Sequence, residues 1–384
     1  MNPRRLALYY AAYFAVIGVL MPFWPVWLEA KGLTATQIGL VLASAPFVRA
    51  FASPLIAQYA DKKGLRQPIM MGLTALAAIF FAAFNFISGF WAIVLVTVLF
   101  FMFFSASQPL AESLTMHVVR TEDANYGRIR LWGSITFILA AVGGGAVLEG
   151  RDVDVIFYLS LAGLGILFAV CVTLPRARFE AATDQKSPLL QLFKIKPFVL
   201  MLAAAALIQS SHAVVYSFST IHWKSIGYSE TLIGLLWAEG VVAEIILFQY
   251  SAFVLKRISP VMLIVIGAAA GILRWSIMGT TDTLPALFIA QALHSLTFGA
   301  AHLGAIHYIS DTIPTHLSAT AQSLLSAVVM GVAIGITTIA AGAMYGTIGP
   351  QSYYPMAGMA VVSLGLGMWL YLWTRKVAEP ASMP

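Results

Sequence analysis

PRARFEAATDQKSPLLQLFKIKP, residues 175 to 197, is the longest polar stretch in a chain of 384 residues that is otherwise close to continuously apolar. Six apolar runs precede it, at about 6 to 28, 36 to 60, 68 to 88, 91 to 118, 129 to 149 and 154 to 174. Six follow, at about 197 to 221, 231 to 255, 260 to 280, 283 to 309, 317 to 346 and 351 to 374. A run of about 20 apolar residues crosses a ~30 Å hydrocarbon core as a helix. A membrane barrel would instead show alternating strands of about 10 residues. The pattern predicts an all-α membrane protein with twelve transmembrane helices in two six-helix bundles. The expected division is an N-terminal bundle at 1–174, a cytoplasmic linker at 175–196 and a C-terminal bundle at 197–384.

Composition agrees. The hydrophobic fraction is 60%, only 10% of residues are charged, and the mean hydropathy is +0.86, whereas soluble domains carry about 25% charged residues. The basic start, Arg4 and Arg5, leads into an apolar run that passes Pro22 and Trp24 without an Ala-x-Ala-like cleavage site. A retained first helix is expected rather than a signal peptide. Cys171 is the single cysteine, so no intramolecular disulfide can form, and no Cys/His cluster has metal-ligand spacing; no metal or other cofactor is expected. There is no Ser/His/Asp arrangement, nucleotide loop or metal motif, and no sizeable soluble domain, so neither an enzyme nor a sensor is expected.

Basic residues in short loops set orientation. With both termini cytoplasmic, that side holds Arg4, Arg5, Lys62, Lys63, Arg66, Arg120, Arg128, Arg130, Lys256, Arg257, Arg375, Lys376 and the cations of the linker. Only Lys31, Arg151 and Lys224 lie opposite. The net charge of +6 is therefore a topology signal for a multi-pass protein of a bacterial-type inner membrane, and nucleic acid is not an expected partner. DKKGLR after the second run and LKRIS after the eighth stand at equivalent places in each set of six. Such repeats flank the midplane site of many transporters. The expected partners are a small-molecule substrate, a proton and the lipid bilayer, with no obligatory protein partner evident.

An ionisable residue inside a membrane helix costs about 2.5 to 3.5 kcal/mol on insertion scales, so it faces a partner or a wet cavity. The candidates are Arg49, Glu112, Glu239, Glu244 and Arg274, with Arg130 near a helix end. Their near balance admits a second reading, in which pairs neutralise one another and fix helix packing. Arg130 offers a bidentate fork for a carboxylate or for vicinal hydroxyls. Arg49, mid-helix in SAPFVRAFASP, is the rival anchor for an anion, a buried partner for Glu112, or a snorkelling side chain. Glu239 and Glu244 are five apart, about 140° around a helix, so one of them is expected to be structural. Apolar surroundings favour the protonated form of a carboxylate, and Glu244 is the expected proton carrier, with Glu239, His294 and His302 as the other candidates. His294 and His302 are expected on one face of the tenth helix, where a packing role is the alternative. Most aromatic residues belong to interfaces or packing.

YADKKGLRQ, residues 59 to 67, resembles the loop signature of the major facilitator superfamily, with Asp61, Lys62, Gly64 and Arg66 matching and with Ala57 and Leu65 departing from it. These four residues would form a charge latch that breaks as two halves rock. QPLAESLTMHVVRTEDANYGRIRLWGS, residues 108 to 134, looks like the fourth and fifth helices of the lactose permease group, which implies that Glu112 and Arg130 pair to hold substrate. In the same resemblance Arg274 and His294 match that group's ninth-helix arginine and tenth-helix histidine, and Glu239 its eighth-helix glutamate. Thr297 stands where that group has its proton-binding glutamate, and His212 and Val215 where it has two aspartates.

MPFWPVWL (21 to 28), YGRIRLWGS (126 to 134), SHAVVYSFSTIHW (211 to 223), LWAEGVVAEIILF (236 to 248), RWSIMG (274 to 279) and LHSLTFGAAHL (293 to 303) resemble the 3-phenylpropionate permease family over nearly the whole chain. The resemblance implies a proton-coupled symporter that imports a small aromatic carboxylate by alternating access; a sugar or nucleoside symporter, or a multidrug exporter of the same fold, is the alternative. Trp24, Tyr216, Phe218 and Trp275 lie in these segments and could stack on an aromatic ring; the expected polar lining of the substrate site is Arg49, Glu112, Arg130, Arg274 and His294.

Overall fold

A computed structural model describes residues 3–122, 124–175 and 189–378, and for Asp61, Val377 and Ala378 the backbone alone. Every described element is helical. The spans are α1 (Pro3–Ala30), α2 (Ala35–Lys63), α3 (Arg66–Ala83), α4 (Phe90–Glu122), α5 (Tyr126–Leu148), α6 (Val155–Thr173), α7 (Lys196–Ser225), α8 (Glu230–Gln249), α9 (Pro260–Thr280), α10 (Leu284–Thr312), α11 (315–348) and α12 (Tyr353–Ala378). The last apolar helical stretch, Thr315–Lys376, is 62 residues long, about 93 Å at 1.5 Å per residue, and so makes two crossings. It divides at a 3-10 turn over Gly349–Ser352, where Gly349 takes φ +55°.

Three spans depart from regular α-helix where the sequence reading assumed none. α7 is interrupted between Lys196–Ser210 and Ala213–Ser225. α10 contains a π-turn over Ser295–Ala300, and α11 another over Val328–Ala333. Irregular backbone at membrane depth persists only where protein groups satisfy it, and α7 and α10 satisfy each other, as described below.

The chain divides into two compact units, residues 1–184 with 215–238, and residues 185–214 with 239–384. Packing thus departs from chain order in α7 and α8. The expected linker at 175–196 falls largely outside the described residues, at 176–188.

In the first unit α1 is the central element. Its aromatic residues form a continuous stack: Tyr13 lies on Phe104 at 4.5 Å between centroids, and Trp24 on Trp27 at 4.3 Å, against Phe81 and Phe84. Gly18 lets α5 approach, since a Cβ there would lie 2.6 Å from the Phe137 carbonyl. The end of α5 meets the start of α8 in the same way. A Cβ on Gly145 would lie 2.2 Å from the Glu230 carbonyl and one on Gly234 2.3 Å from that of Ala141. Thr231 donates to Glu149 beside this crossing. These contacts are why 215–238 belongs to the first unit.

The second unit is built on Phe198, Met201, Ile264, Ile309, Leu317 and Leu370. α9 packs on α10 through Gly267, where a Cβ would come 2.8 Å from the Leu296 carbonyl.

Candidate functional site

Two polar clusters collect most of the residues singled out in the sequence. The first, in the first unit, joins α4 and α5. Asn125 caps α5 by accepting from the Arg128 amide at 2.9 Å, and that start places Tyr126 and Arg130 one turn apart. Arg130 Nε stands 3.6 Å from Glu112 Oε1, and the Tyr126 hydroxyl donates to Glu112 Oε2 at 2.9 Å. The Arg130 guanidinium lies over Phe14 at 4.2 Å and Tyr10 at 5.2 Å. Gly133 makes room for this, because a Cβ there would meet Phe14 at 2.8 Å and Arg130 Nη1 at 3.0 Å. The side chains of Arg130 and Glu112 remain 30% and 31% exposed, so a solute can reach the pair.

The second cluster, in the second unit, is buried and centred on Arg274, which is 1% exposed. Arg274 Nη2 donates to Gln291 Oε1 at 3.0 Å, and Nη1 reaches both Thr297 Oγ1 at 2.9 Å and His294 Nδ1 at 3.1 Å. Trp275 lies beneath the guanidinium at 4.6 Å. An arginine only donates, so His294 Nδ1 accepts and the neutral ring carries its proton on Nε2. That nitrogen faces Glu244 Oε2 at 3.6 Å. His212, at the interruption of α7, donates from Nδ1 to the Gln209 carbonyl at 3.0 Å. Its Nε2 must then accept, and it takes the Thr297 hydroxyl proton at 3.0 Å.

Thr297 therefore serves Arg274 as an acceptor in the place where the lactose permease resemblance has a glutamate. His294 stands between Arg274 and Glu244, in contact with both. Phe298 is stacked between His294 at 5.2 Å and His302 at 6.0 Å, so the two histidines do share a face. Glu244 is within electrostatic reach of His302. Glu239 is partly buried, and its Oε2 has no hydrogen-bond partner among the described residues. Gln209, Gln291, Thr297 and Tyr126 were not singled out as site residues, since uncharged polar residues in a membrane helix carry no sequence signal of which neighbour they meet.

The remaining expected residues lie elsewhere. Trp24, 4% exposed, has its ring faces covered by Trp27, Phe81 and Phe84, which corrects its expected stacking role to packing. Tyr216 stacks on Trp237 at 6.1 Å, and Trp237 Nε1 donates to Thr220 at 3.0 Å. Arg49 is exposed and stands in the field of Tyr13; Glu112 takes Arg130 and Tyr126 as its partners, which corrects the reading of Arg49 as its buried mate.

In the loop after α2, Gly64 has φ +63° and its amide caps the helix on the Ala60 carbonyl at 2.9 Å, a conformation that favours glycine. Arg66 opens α3, Lys62 is exposed, and the Asp61 side chain lies outside the described residues. Between α1 and α6, Lys31 Nζ and Trp27 Nε1 both donate to Asp154 Oδ1 at 2.8 Å. The Lys31 hydrogen bond holds the Asp154 carboxyl below its ordinary value of 3.8, against the opposing effect of burial.

The profile of the MFS_1 like family matches residues 4–356. The probable 3-phenylpropionic acid transporter of Escherichia coli (strain K12) is 34% identical over 374 residues, covering 95% of this chain and 97% of that protein. The maltose permease of Geobacillus stearothermophilus is 27% identical, covering 87% and 86%. The crystal structure of the nucleoside transporter NupG superposes with a TM-score of 0.83 at 18% identity, covering 97% of this chain and 99% of that one, and so shares the fold.

Proposed function

We propose that this chain, which belongs to the MFS_1-like family of membrane transporters, is a proton-coupled symporter that imports a small aromatic carboxylate such as 3-phenylpropionate by alternating access. The observation that carries the reading is the placement of His294 between Arg274 at 3.1 Å and Glu244 at 3.6 Å.

The neutral ring holds its proton toward Glu244 and its lone pair toward Arg274. A second proton can enter only at Nδ1, where it removes an acceptor from Arg274 and opposes two cations. Protonation of the ring and retention of the Arg274 contact are thus alternatives. Loading the proton on Glu244 instead leaves the Arg274 contact in place and removes the charge that faces the histidine. Switching between these arrangements couples proton binding to the packing of α8, α9 and α10. Glu239 and His302 offer further proton-binding positions beside it.

The half-exposed Arg130 is the proposed anchor for the substrate carboxylate, with Phe14 and Tyr10 beside it as apolar walls. Glu112, held by Tyr126, has to yield the guanidinium to the incoming anion. Import of a monoanion with one proton is electroneutral. The proposed orientation puts both termini in the cytoplasm of a bacterial-type inner membrane, and the excess of Lys and Arg in the loops of that side supports it. The proposed rocking halves are residues 1–174 and 197–384, with Asp61, Lys62, Gly64 and Arg66 as the latch.

A second reading, import of a sugar or nucleoside, is favoured by the exposed pairing of Glu112 with Arg130, since a carboxylate beside a guanidinium also suits vicinal hydroxyls. Uptake of labelled 3-phenylpropionate into proteoliposomes, with and without an inward proton gradient, tests the proposal against a galactoside and a nucleoside. Gradient-stimulated accumulation of the acid beyond empty liposomes is expected. Accumulation of a comparison solute alone transfers the Arg130 site to hydroxyl recognition.

A further inference from the structure

The interruption of α7 and the π-turn of α10 meet, and one side chain joins them. Gln209, 3% exposed, lies in the last turn before the interruption. Its Nε2 donates to the Phe298 carbonyl at 3.0 Å, inside the π-turn Ser295–Ala300. Its backbone carbonyl accepts from His212 Nδ1 at 3.0 Å, and His212 Nε2 reaches Thr297 in the same π-turn. Two hydrogen-bonded paths therefore run from Gln209 to adjacent residues of the π-turn.

We propose that Gln209 is a positioning residue for proton coupling: its amide pins the π-turn of α10 and thereby holds His294 between Arg274 and Glu244. Gln209 Oε1 is buried without a hydrogen-bond partner among the described residues. An amide that leaves one buried atom unsatisfied is unfavourable unless its other atom does something an apolar side chain cannot. Here that is the bond to the Phe298 carbonyl. π-turns inside membrane helices are places where the ladder can shift register. A cavity of about 210 Å³, lined by Gln209, Ala301, His302, Val329 and Met330 among others, adjoins this turn and the π-turn of α11 and provides room for such a shift.

His294 is faced by Glu244 from α8, Arg274 from α9 and His212 from α7, the last at 5.4 Å between ring centroids, with His302 further along α10. A displaced π-turn alters its distance to all of them. This inference rests on the symport reading for its transport arm but has a readout of its own.

The test is Gln209→Met, which keeps side-chain length and removes the N–H, in the full-length protein in proteoliposomes. Amide hydrogen exchange over residues 295–302 is expected to quicken about tenfold, as for the loss of one hydrogen bond, with thermal stability near that of the wild type. The accumulation ratio under a proton gradient is expected to fall at least about fivefold and its pH profile to shift, while solute exchange without a gradient keeps its KM. Unchanged exchange over 295–302 overturns the pinning. Faster exchange with an unaltered accumulation ratio and pH profile overturns the link to coupling. If the wild type accumulates no solute under a gradient, the symport reading fails, and the pinning is decided by the hydrogen-exchange result alone.

Discussion

The chain holds two arginine clusters that solve the same problem differently. Arg130 meets its carboxylate directly, at a half-exposed site with aromatic rings around it. Arg274 is buried and contacts Gln291, Thr297 and His294, and the histidine in turn faces Glu244. A direct, accessible pair can be opened by a competing anion. A buried network with a titratable ring in the middle changes when a proton arrives. The proposed function assigns binding to the first cluster and coupling to the second, and substitutions can test that assignment.

The largest effect on stability is expected at Arg274. Replacing it with Met removes a donor from each of Gln291, Thr297 and His294, and a loss of about 3–5 kcal/mol is expected, as for the breaking of a buried charged network. Thermal unfolding in detergent measures it. Arg130→Ala is expected to lower uptake at least about tenfold while changing stability by no more than about 1 kcal/mol, the scale of an exposed pair; uptake and unfolding of the same sample separate the two. Equal stability losses in the two variants would break the comparison. Thr297→Val removes an acceptor of Arg274 and the donor to His212, for an expected loss of about 1–3 kcal/mol, read by the same unfolding experiment.

The smallest effect is expected at Asp154, whose pairing with Lys31 lies outside the spans and whose side chain is 43% exposed. Its carboxyl is depressed below 3.8, so its stabilisation is complete above that value and is lost as pH falls through the lower folded value. Asp154→Asn is expected to cost less than about 1 kcal/mol at pH 7, and the difference between variant and wild type in unfolding should shrink as the pH falls through the lowered folded value.

The spans were legible because length and apolarity alone decide a membrane crossing. The pairing of Glu112 with Arg130 was expected from the resemblance of residues 108 to 134 to the fourth and fifth helices of the lactose permease group. The interruption of α7 and the π-turn of α10 were not legible: they exist through hydrogen bonds between Gln209, His212, Thr297 and Phe298, which are 85 and 89 positions apart in the chain where α7 meets α10. Trp24 misled for a related reason, because an aromatic side chain looks the same in sequence whether a ligand or Trp27 covers it. Arg49 kept three readings in the sequence because hydropathy does not say which face of α2 it occupies; its exposure removes only the buried pairing with Glu112.

The most direct test of the coupling account is Glu244→Gln, assayed both for accumulation of 3-phenylpropionate under an inward proton gradient and for exchange of the labelled acid across proteoliposomes with equal pH on both sides. The account predicts that accumulation is lost and exchange is kept. A Gln variant that still accumulates the acid as the wild type does would contradict it.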